Sequence, residues 1–420
     1  MTGESLVVWL GGRRVGLLRS SPGHGMEFEY EPGWIRAGGV ALSQSIPLQQ
    51  SGELTVSDSR AHRFFANLLP EAMARARIVR RCRIPDDDFA LLRALGRECA
   101  GAVEILPEGN EPDDPSSHRY ERIDHSRLAD LQFKSGWDFE GLERRPAPHP
   151  ALAGAQDKTA LALFDNKTWL PKGTAPSSHI LKFDSVEYSD VLAFECFATL
   201  LAEFVGLPVV DFELRTVGRD SIALIERYDR ILEDDGRIRR LHQEDFCQAM
   251  GLSSRNKYET DGGPSFADCY RLIRDVSDAP LDDLERLLRW QVFNVLAGNS
   301  DGHAKNLSLL YGSDGATRLA PFYDLVPTRA IENLDHDLAI GVGGMRNPGN
   351  VGRRHWESLA AECDVRSNVV LSLVEETAEL LMVHSAEARA RFEDTHGRLP
   401  ALDRVERVVS RQCQRATRID

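Results

Sequence analysis

The chain has 420 residues, 42% hydrophobic and 28% charged, with a formal net charge of −14. That length accommodates two or three domains with a sizeable core, and the acidic balance argues against a broad nucleic-acid or anionic-membrane footprint while allowing a local basic patch. The seven cysteines are scattered without CxxC spacing, which fits free thiols in a reducing cytoplasm better than disulfides or a zinc site. The N-terminal "MTGESLVVWLGGRR" has no basic start ahead of its short apolar run, so it is not read as a signal peptide, and no run has the length of a membrane span.

In chain order, "LVVWL" and "VGLL" flank "GGRR" and predict a hairpin with glycines in the turn. "MEFEYEPG" alternates Met26, Phe28 and Tyr30 on one face, a strand pattern. "RFFANLLPEAMARARIVRR" and "DDDFALLRALG" read as helices, the second with Asp86 as N-cap and Gly96 as C-cap; "AGAVEILPEG" reads as a strand. These make residues 1–110 a small α+β subdomain. Residues 111–150 are acidic, Pro/Ser-rich or irregular around a short helix, and read as linker. From 151 to 228, "TALALF" and "TWLP" flank "DNK" as a hairpin and "HILKF" is a short buried strand. "DVLAFECFATLLAEFVGLP" is a helix stopped by Gly206 and Pro208, and "PVVDFELRTV" and "DSIALIERY" are two more strands. From 229 to 420 strands nearly vanish and helices dominate. The order is a β-rich N-terminal lobe, a junction near "IERYDR", then a helical C-terminal lobe: an α+β, two-lobed arrangement of the kind that holds ligands in a cleft.

One segment of the helical part contributes almost nothing to a core. "GNSDGHAKNLSLLY" places Asn299, Asp301, His303, Lys305 and Asn306 within eight positions. Asn, Ser, Asp and Gly are turn formers, which accounts for Asn299 through Gly302 but not for Lys305 and Asn306. The Asp301-to-Asn306 offset is that of a phosphoryl-transfer loop, in which the carboxylate addresses an attacking hydroxyl and the amide holds a metal; "DGHAKN" shares this spacing, not the kinase HRD motif. Asp324, in the apolar "LAPFYDLVPT", is a second candidate ligand, and Mg²⁺ needs few carboxylates when substrate phosphates complete its shell. His303 and Lys305 are candidates for charge or hydrogen bonds near a phosphate; a metal site pairing His303 with Asp301 is the weaker alternative. Lys182 ends an apolar strand in "SHILKFD" with Glu195 on the next helix as its natural partner, although a snorkelling strand end beside a solvated helix residue gives the same pattern. The small residues Ala153, Gly154 and Ala155, followed by Lys158, suit a phosphate cradle, but a turn into a hairpin looks the same. At the end of the last strand Glu226 and Tyr228 offer main-chain atoms to a base and Asp229 a carboxylate to a ribose; a solvated strand end is the plain alternative.

Taken together, "GVALSQSIPL", "RFFANLLPEA", "ECAGAVEILPEG", "LAGAQDKTAL", "HILKFD", "LIERYDR", "RLHQEDFCQAMG", "KYETDGGPSF", "GNSDGHAKNLSLLY" and "LAPFYDLVPT", in this order, resemble the HipA family of bacterial serine/threonine kinases, the toxin halves of HipBA-type toxin–antitoxin pairs. The resemblance implies a two-lobed protein-kinase-like fold related to PI3/4-kinases, ATP with Mg²⁺, and phosphoryl transfer to a protein serine. It implies Asp301 as the catalytic residue and Asn306 and Asp324 as metal ligands. Lys182 would hold ATP phosphates, the loop of Ala153, Gly154, Ala155, Gln156 and Lys158 would cover them, Glu226 and Tyr228 would contact the base, and His303 would lie near the phosphates. It further implies a cytoplasmic protein with an aminoacyl-tRNA synthetase as substrate, glutamyl-tRNA synthetase first among them. The implied partner is a HipB-like helix-turn-helix antitoxin, through which any DNA contact would be indirect. Relatives often carry an autophosphorylated serine just before the phosphate loop. Ala151 stands there, without a hydroxyl, so that off-switch is in doubt; Ser177, Ser178, Ser185 and Ser189 are the nearest substitutes. A kinase-like antitoxin-binding co-repressor and a small-molecule phosphotransferase are the alternative functions.

Overall fold

The computed structural model describes residues 4–21, 25–48, 55–56, 59–124, 128, 131, 158–185, 187–218 and 220–417. Ala151, Ala153, Gly154, Ala155 and Gln156, with most of the expected linker, lie outside them. The chain forms two compact units: Met1–Phe183, Thr216–Ser254 and Leu310–Ser313 make the first, and Asp184–Arg215, Arg255–Leu309 and Asp314–Asp420 the second.

Two large sheets dominate the described part of the first unit. In one, the strands run in the order Thr55–Val56, Gly25–Tyr30, Arg13–Ser21, Ser5–Leu10, Val103–Pro107, with each neighbouring pair antiparallel. Gly11 and Gly12 have φ of 57° and 74°, the left-handed backbone that the tight hairpin between the first two strands requires. Met26, Phe28 and Tyr30 all point inward, into a core with Leu6, Val8, Phe64, Phe65, Leu91, Leu92 and Ile105. The single long helix expected over "RFFANLLPEAMARARIVRR" is two, Ser59–Ala66 and Ala72–Cys82, separated at Pro70 because proline has no amide to continue the ladder. The helix Asp88–Leu95 is capped by Asp87, whose side chain accepts from Ala90 N at 3.0 Å. Asp86, the expected cap, instead pairs with Arg75 at 2.6 Å.

In the other sheet Asp220–Glu226, His179–Phe183, Lys158–Phe164, Lys167–Lys172 and Arg119–Ile123 are successive neighbours. Asp165 and Asn166 take φ of 49° and 57° and close the expected "DNK" hairpin. Arg119–Ile123, inside the sequence expected to be linker, pairs with Lys167–Lys172; its polar residues leave only Ile123 buried, so the apolar pattern of a strand is missing from it. Past Asp229 the short strands Arg230–Leu232, Ile238–Arg240 and His242–Asp245 appear where strands were expected to be nearly absent. Each is three or four residues, too short for a period-2 pattern to register.

The second unit is helical: Val191–Phe204, Phe266–Val276, Pro280–Ala297, Arg353–Glu362, Ser367–His396 and Leu402–Ala416. The 30-residue helix Ser367–His396 packs against the helices on either side of it in sequence and against Val191–Phe204 and Pro280–Ala297. Ser265 and Asp268 form a reciprocal capping box at the start of Phe266–Val276, which fixes where that helix begins. The whole is a mixed α/β fold.

Candidate active site

In the second unit, the Pro280–Ala297 helix buries Trp290, Phe293 and Leu296 and stops at Gly298, at φ 79°. The amides of Gly298 and Asn299 both return to Asn294 O, at 3.1 and 2.9 Å, an ending that only glycine at this position accommodates without strain. The next eight residues form the polar loop. Asn299 Nδ2 donates to Asn294 Oδ1 at 3.0 Å, and Asn299 Oδ1 accepts from Asp301 N at 3.2 Å, so the turn role expected of Asn299 is realised by its side chain. Ser300 is held by Thr328 Oγ1 at 2.9 Å and donates to His336 O at 2.8 Å. Gly302 lies so close to the helix that a Cβ there would meet Asn294 Nδ2 at 2.6 Å.

Asn299, Ser300, His303, Lys305 and Asn306 are buried, while Asp301 is exposed. The loop therefore offers one accessible carboxylate on a rigid polar base. Asn306 Nδ2 reaches Asp301 O at 3.5 Å, so the two expected site residues share one turn of chain. Asp324 is joined to this turn through its neighbour: Tyr323 donates to Lys305 O at 2.7 Å and shares a 2.9 Å hydrogen bond with Ser308 Oγ. Asp324 itself has φ 60°, a left-handed backbone costing of order 1–2 kcal/mol for a non-glycine residue and found preferentially at functional positions. Burial drives His303 down to about 3, Lys257 and Lys305 add to the effect, and Asp324 opposes it; the imidazole is neutral at neutral pH. Its Nδ1 is buried and has no hydrogen-bond partner among the described residues. Asn306 and Asp324 would offer oxygen donors only, one amide and one carboxylate, the chemistry that suits Mg²⁺, and the buried imidazole nitrogen suits an incoming polar ligand.

Tyr258 was not anticipated as part of this group, although "KYETDGGPSF" stands out in the sequence. Its hydroxyl donates to Asp301 Oδ1 at 2.8 Å, across 43 positions of chain.

The remaining candidates, Glu195 apart, belong to the first unit. Lys182 is buried, 4% exposed, on the strand His179–Phe183. Its register partner on the adjacent antiparallel strand is Lys158, so two ammonium-bearing side chains leave the same face side by side. Glu226 is exposed at the end of its strand opposite His179. Tyr228 is half-buried and donates to Gln243 Oε1. Asp229 has a different role from the ribose contact expected of it. It is 2% exposed, and its carboxylate accepts from Arg227 Nε at 2.9 Å and Nη2 at 2.8 Å, from Gly101 N at 2.7 Å, and pairs with Arg230 at 3.0 Å. Glu98 binds the same two arginines, at 2.9 and 3.0 Å, and also Arg240. Glu195, the expected partner of Lys182, is a buried residue of the second unit, on the helix Val191–Phe204.

Residues 6–106 match the family model of the HipA N-terminal domain, and residues 150–384 that of the HipA-like C-terminal domain. The chain belongs to the HipA family. It is 35% identical over 411 residues to the protein Y4mE of Sinorhizobium fredii, covering 94% of this chain and 93% of that one. It is 27% identical over 339 residues to the serine/threonine-protein kinase toxin HipA of Shewanella oneidensis, 77% of this chain and 74% of that one. The solved structure of the Shewanella oneidensis toxin–antitoxin complex of HipA, HipB and operator DNA aligns with a TM-score of 0.81 at 24% identity, over 98% of this chain and 97% of the matched chain. The mixed α/β fold is thus one shared with a HipA-type assembly. Every candidate residue from Lys158 to Asp324 falls inside the HipA-like C-terminal match.

Proposed function

We propose that this chain is an ATP- and Mg²⁺-dependent protein serine/threonine kinase of the HipA toxin type. The observation that carries the reading is the loop itself: an exposed Asp301 on a buried polar base, with Asn306 on the same turn and a strained Asp324 tied to it through Tyr323. In this reading the Asp301 carboxylate takes the proton of a substrate serine as its oxygen bonds to the γ-phosphorus of ATP, and the bond to the β,γ-bridging oxygen breaks to release ADP. Asn306 and Asp324 hold Mg²⁺, which supplies neutralising charge to the phosphates. Lys182, Lys158 and the loop Ala153–Gln156 hold those phosphates, Glu226 and Tyr228 offer main-chain atoms to the base, and neutral His303 lends a ring nitrogen. The HipA–HipB complex among its structural relatives supports a small HipB-type antitoxin as partner, with DNA reached through it. The substrate class inferred from the family is an aminoacyl-tRNA synthetase, glutamyl-tRNA synthetase being the first to test.

Transfer of label from γ-labelled ATP to bacterial proteins tests the assignment. Asp301→Asn is expected to lower turnover by about 10²-fold or more with the fold intact. Full activity in that variant sinks the role of Asp301, and a labelled metabolite with no labelled protein sinks the protein-kinase reading. Phosphoproteomics after induction of the wild-type and Asp301→Asn chains identifies the substrate.

A further inference from the structure

We infer that Tyr258 is a positioning residue for Asp301, and that the segment Lys257–Gly263 exists to aim the reacting carboxylate. This deepens the kinase reading above and rests on it. An exposed aspartate on a surface loop has two side-chain torsions to lose before it can meet a hydroxyl in one geometry, and orientation is a large part of what such a site supplies. Tyr258 removes that freedom with a 2.8 Å hydrogen bond to Oδ1.

Tyr258 is itself fixed on every side. Its ring stands edge-on to buried His303, with centroids 5.3 Å apart and planes at 83°, a favoured geometry for a ring pair. The Lys257 ammonium lies 5.5 Å from the Tyr258 ring centroid. The preceding carbonyl, Lys257 O, accepts from Ala304 N at 3.2 Å, so main chain and side chain of the segment both grip the loop. On the far side Tyr258 O accepts from Asp261 N at 3.0 Å and Gly263 N at 2.9 Å. A Cβ at Gly263 would sit 2.6 Å from that same carbonyl oxygen and 2.3 Å from Asn256 O, so glycine is what lets the turn close beneath the tyrosine. Glu259 fastens the next residue, its amide to Ala339 O at 3.0 Å and its carboxylate to Gly341 N at 2.7 Å. A tyrosine needed only for packing would not require its hydroxyl on the one exposed carboxylate of the loop.

The test is a double-mutant cycle on phosphotransfer. Tyr258→Phe keeps the ring and its contact with His303 and removes only the hydroxyl. It is expected to lower kcat about tenfold, the scale of one hydrogen bond to a charged group, with KM for ATP and the thermal midpoint unchanged. In an Asp301→Asn background the same change is expected to have almost no further effect, because the group it orients no longer acts; a merely structural role would lower both backgrounds alike. Undiminished kcat in Tyr258→Phe, or two losses that multiply, overturns the inference while leaving the kinase intact. A wild-type chain with no phosphotransfer at all overturns the kinase reading, and this inference with it.

Discussion

Asp324 pairs a chemical demand with a backbone demand, and substitutions separate the two. Asparagine tolerates φ 60° nearly as well as aspartate, and alanine does not. Asp324→Ala is therefore expected to be about 1 kcal/mol less stable than Asp324→Asn in urea unfolding, while both lose phosphotransfer. Equal midpoints would mean that the backbone strain is relieved elsewhere. Glu244 sets a different residue-scale problem. It is fully buried, accepts from Ser43 Oγ, Tyr311 Oη and Gln44 N, and burial raises it to about 7 despite those hydrogen bonds. An acid whose folded pKa is raised holds its proton longer in the native state, so its contribution to stability is complete below about pH 4.5 and is lost as pH rises to about 7. Buried His242, lowered to about 4, and His303, lowered to about 3, have the opposite sign: the unfolded chain takes their protons first, so their contribution grows with pH up to about 6.5. Glu244→Gln is expected to remove only the first slope, and the stability of wild type relative to the variant should fall between pH 5 and 7 in denaturant titrations. What sequence offered at this scale was composition and spacing. Asp301 and Asn306 stood out because polar side chains crowd a stretch with almost no apolar residues, whereas Tyr258 reaches Asp301 through the fold. Asp229 misled for a related reason: nothing local announces that Arg227, Arg230 and the Gly101 amide converge on its carboxylate.

At the scale of elements, the loop is shaped by the helix that precedes it. A Cβ at Gly302 would meet Asn294 and Trp290 of Pro280–Ala297, so a methyl group there has to push the loop outward from a helix whose facing residues are buried. Gly302→Ala is expected to lower kcat by about tenfold to a hundredfold, since displacements near 1 Å suffice for that, while circular dichroism stays unchanged. Retained kcat would show that the loop yields without moving Asp301. Turn chemistry made the elements most readable: paired left-handed residues at Gly11–Gly12 and Asp165–Asn166 mark both hairpins. Helices with clear apolar faces were equally readable. Arg353–Glu362 is harder to read from sequence because "RRHWESLAAE" has few apolar residues, of which Trp356, Leu359 and Ala360 are buried. The edge strand Arg119–Ile123 escaped because its hydrogen bonds, not its side chains, hold it in place.

For the molecule as a whole, the Glu98 cluster ties sequence-distant parts of the first unit together. Glu98 comes from the HipA N-terminal match and its three arginines from the C-terminal one. Those arginines hold the Glu98 carboxyl well below its ordinary range against the opposing effect of burial. Glu98→Gln leaves buried guanidinium groups short of a counter-charge and is expected to destabilise the protein by about 3–5 kcal/mol, read as a lowered denaturant midpoint; an unchanged midpoint would mean the cluster is balanced by Asp229, on Arg227 and Arg230, and by Glu104, which pairs with Arg240 at 2.7 Å. The division into two units has a consequence for biosynthesis. Since Leu310–Ser313 complete the first unit and Asp184–Arg215 begin the second, neither is an uninterrupted stretch of the message. A ribosome that has released the first three hundred residues still withholds Tyr311, the partner of Glu244 and Gln44. Emergence order and assembly order therefore diverge, and the nascent protein must keep an unfinished first unit soluble while Asp184–Arg215 and Arg255–Leu309 of its second are being made.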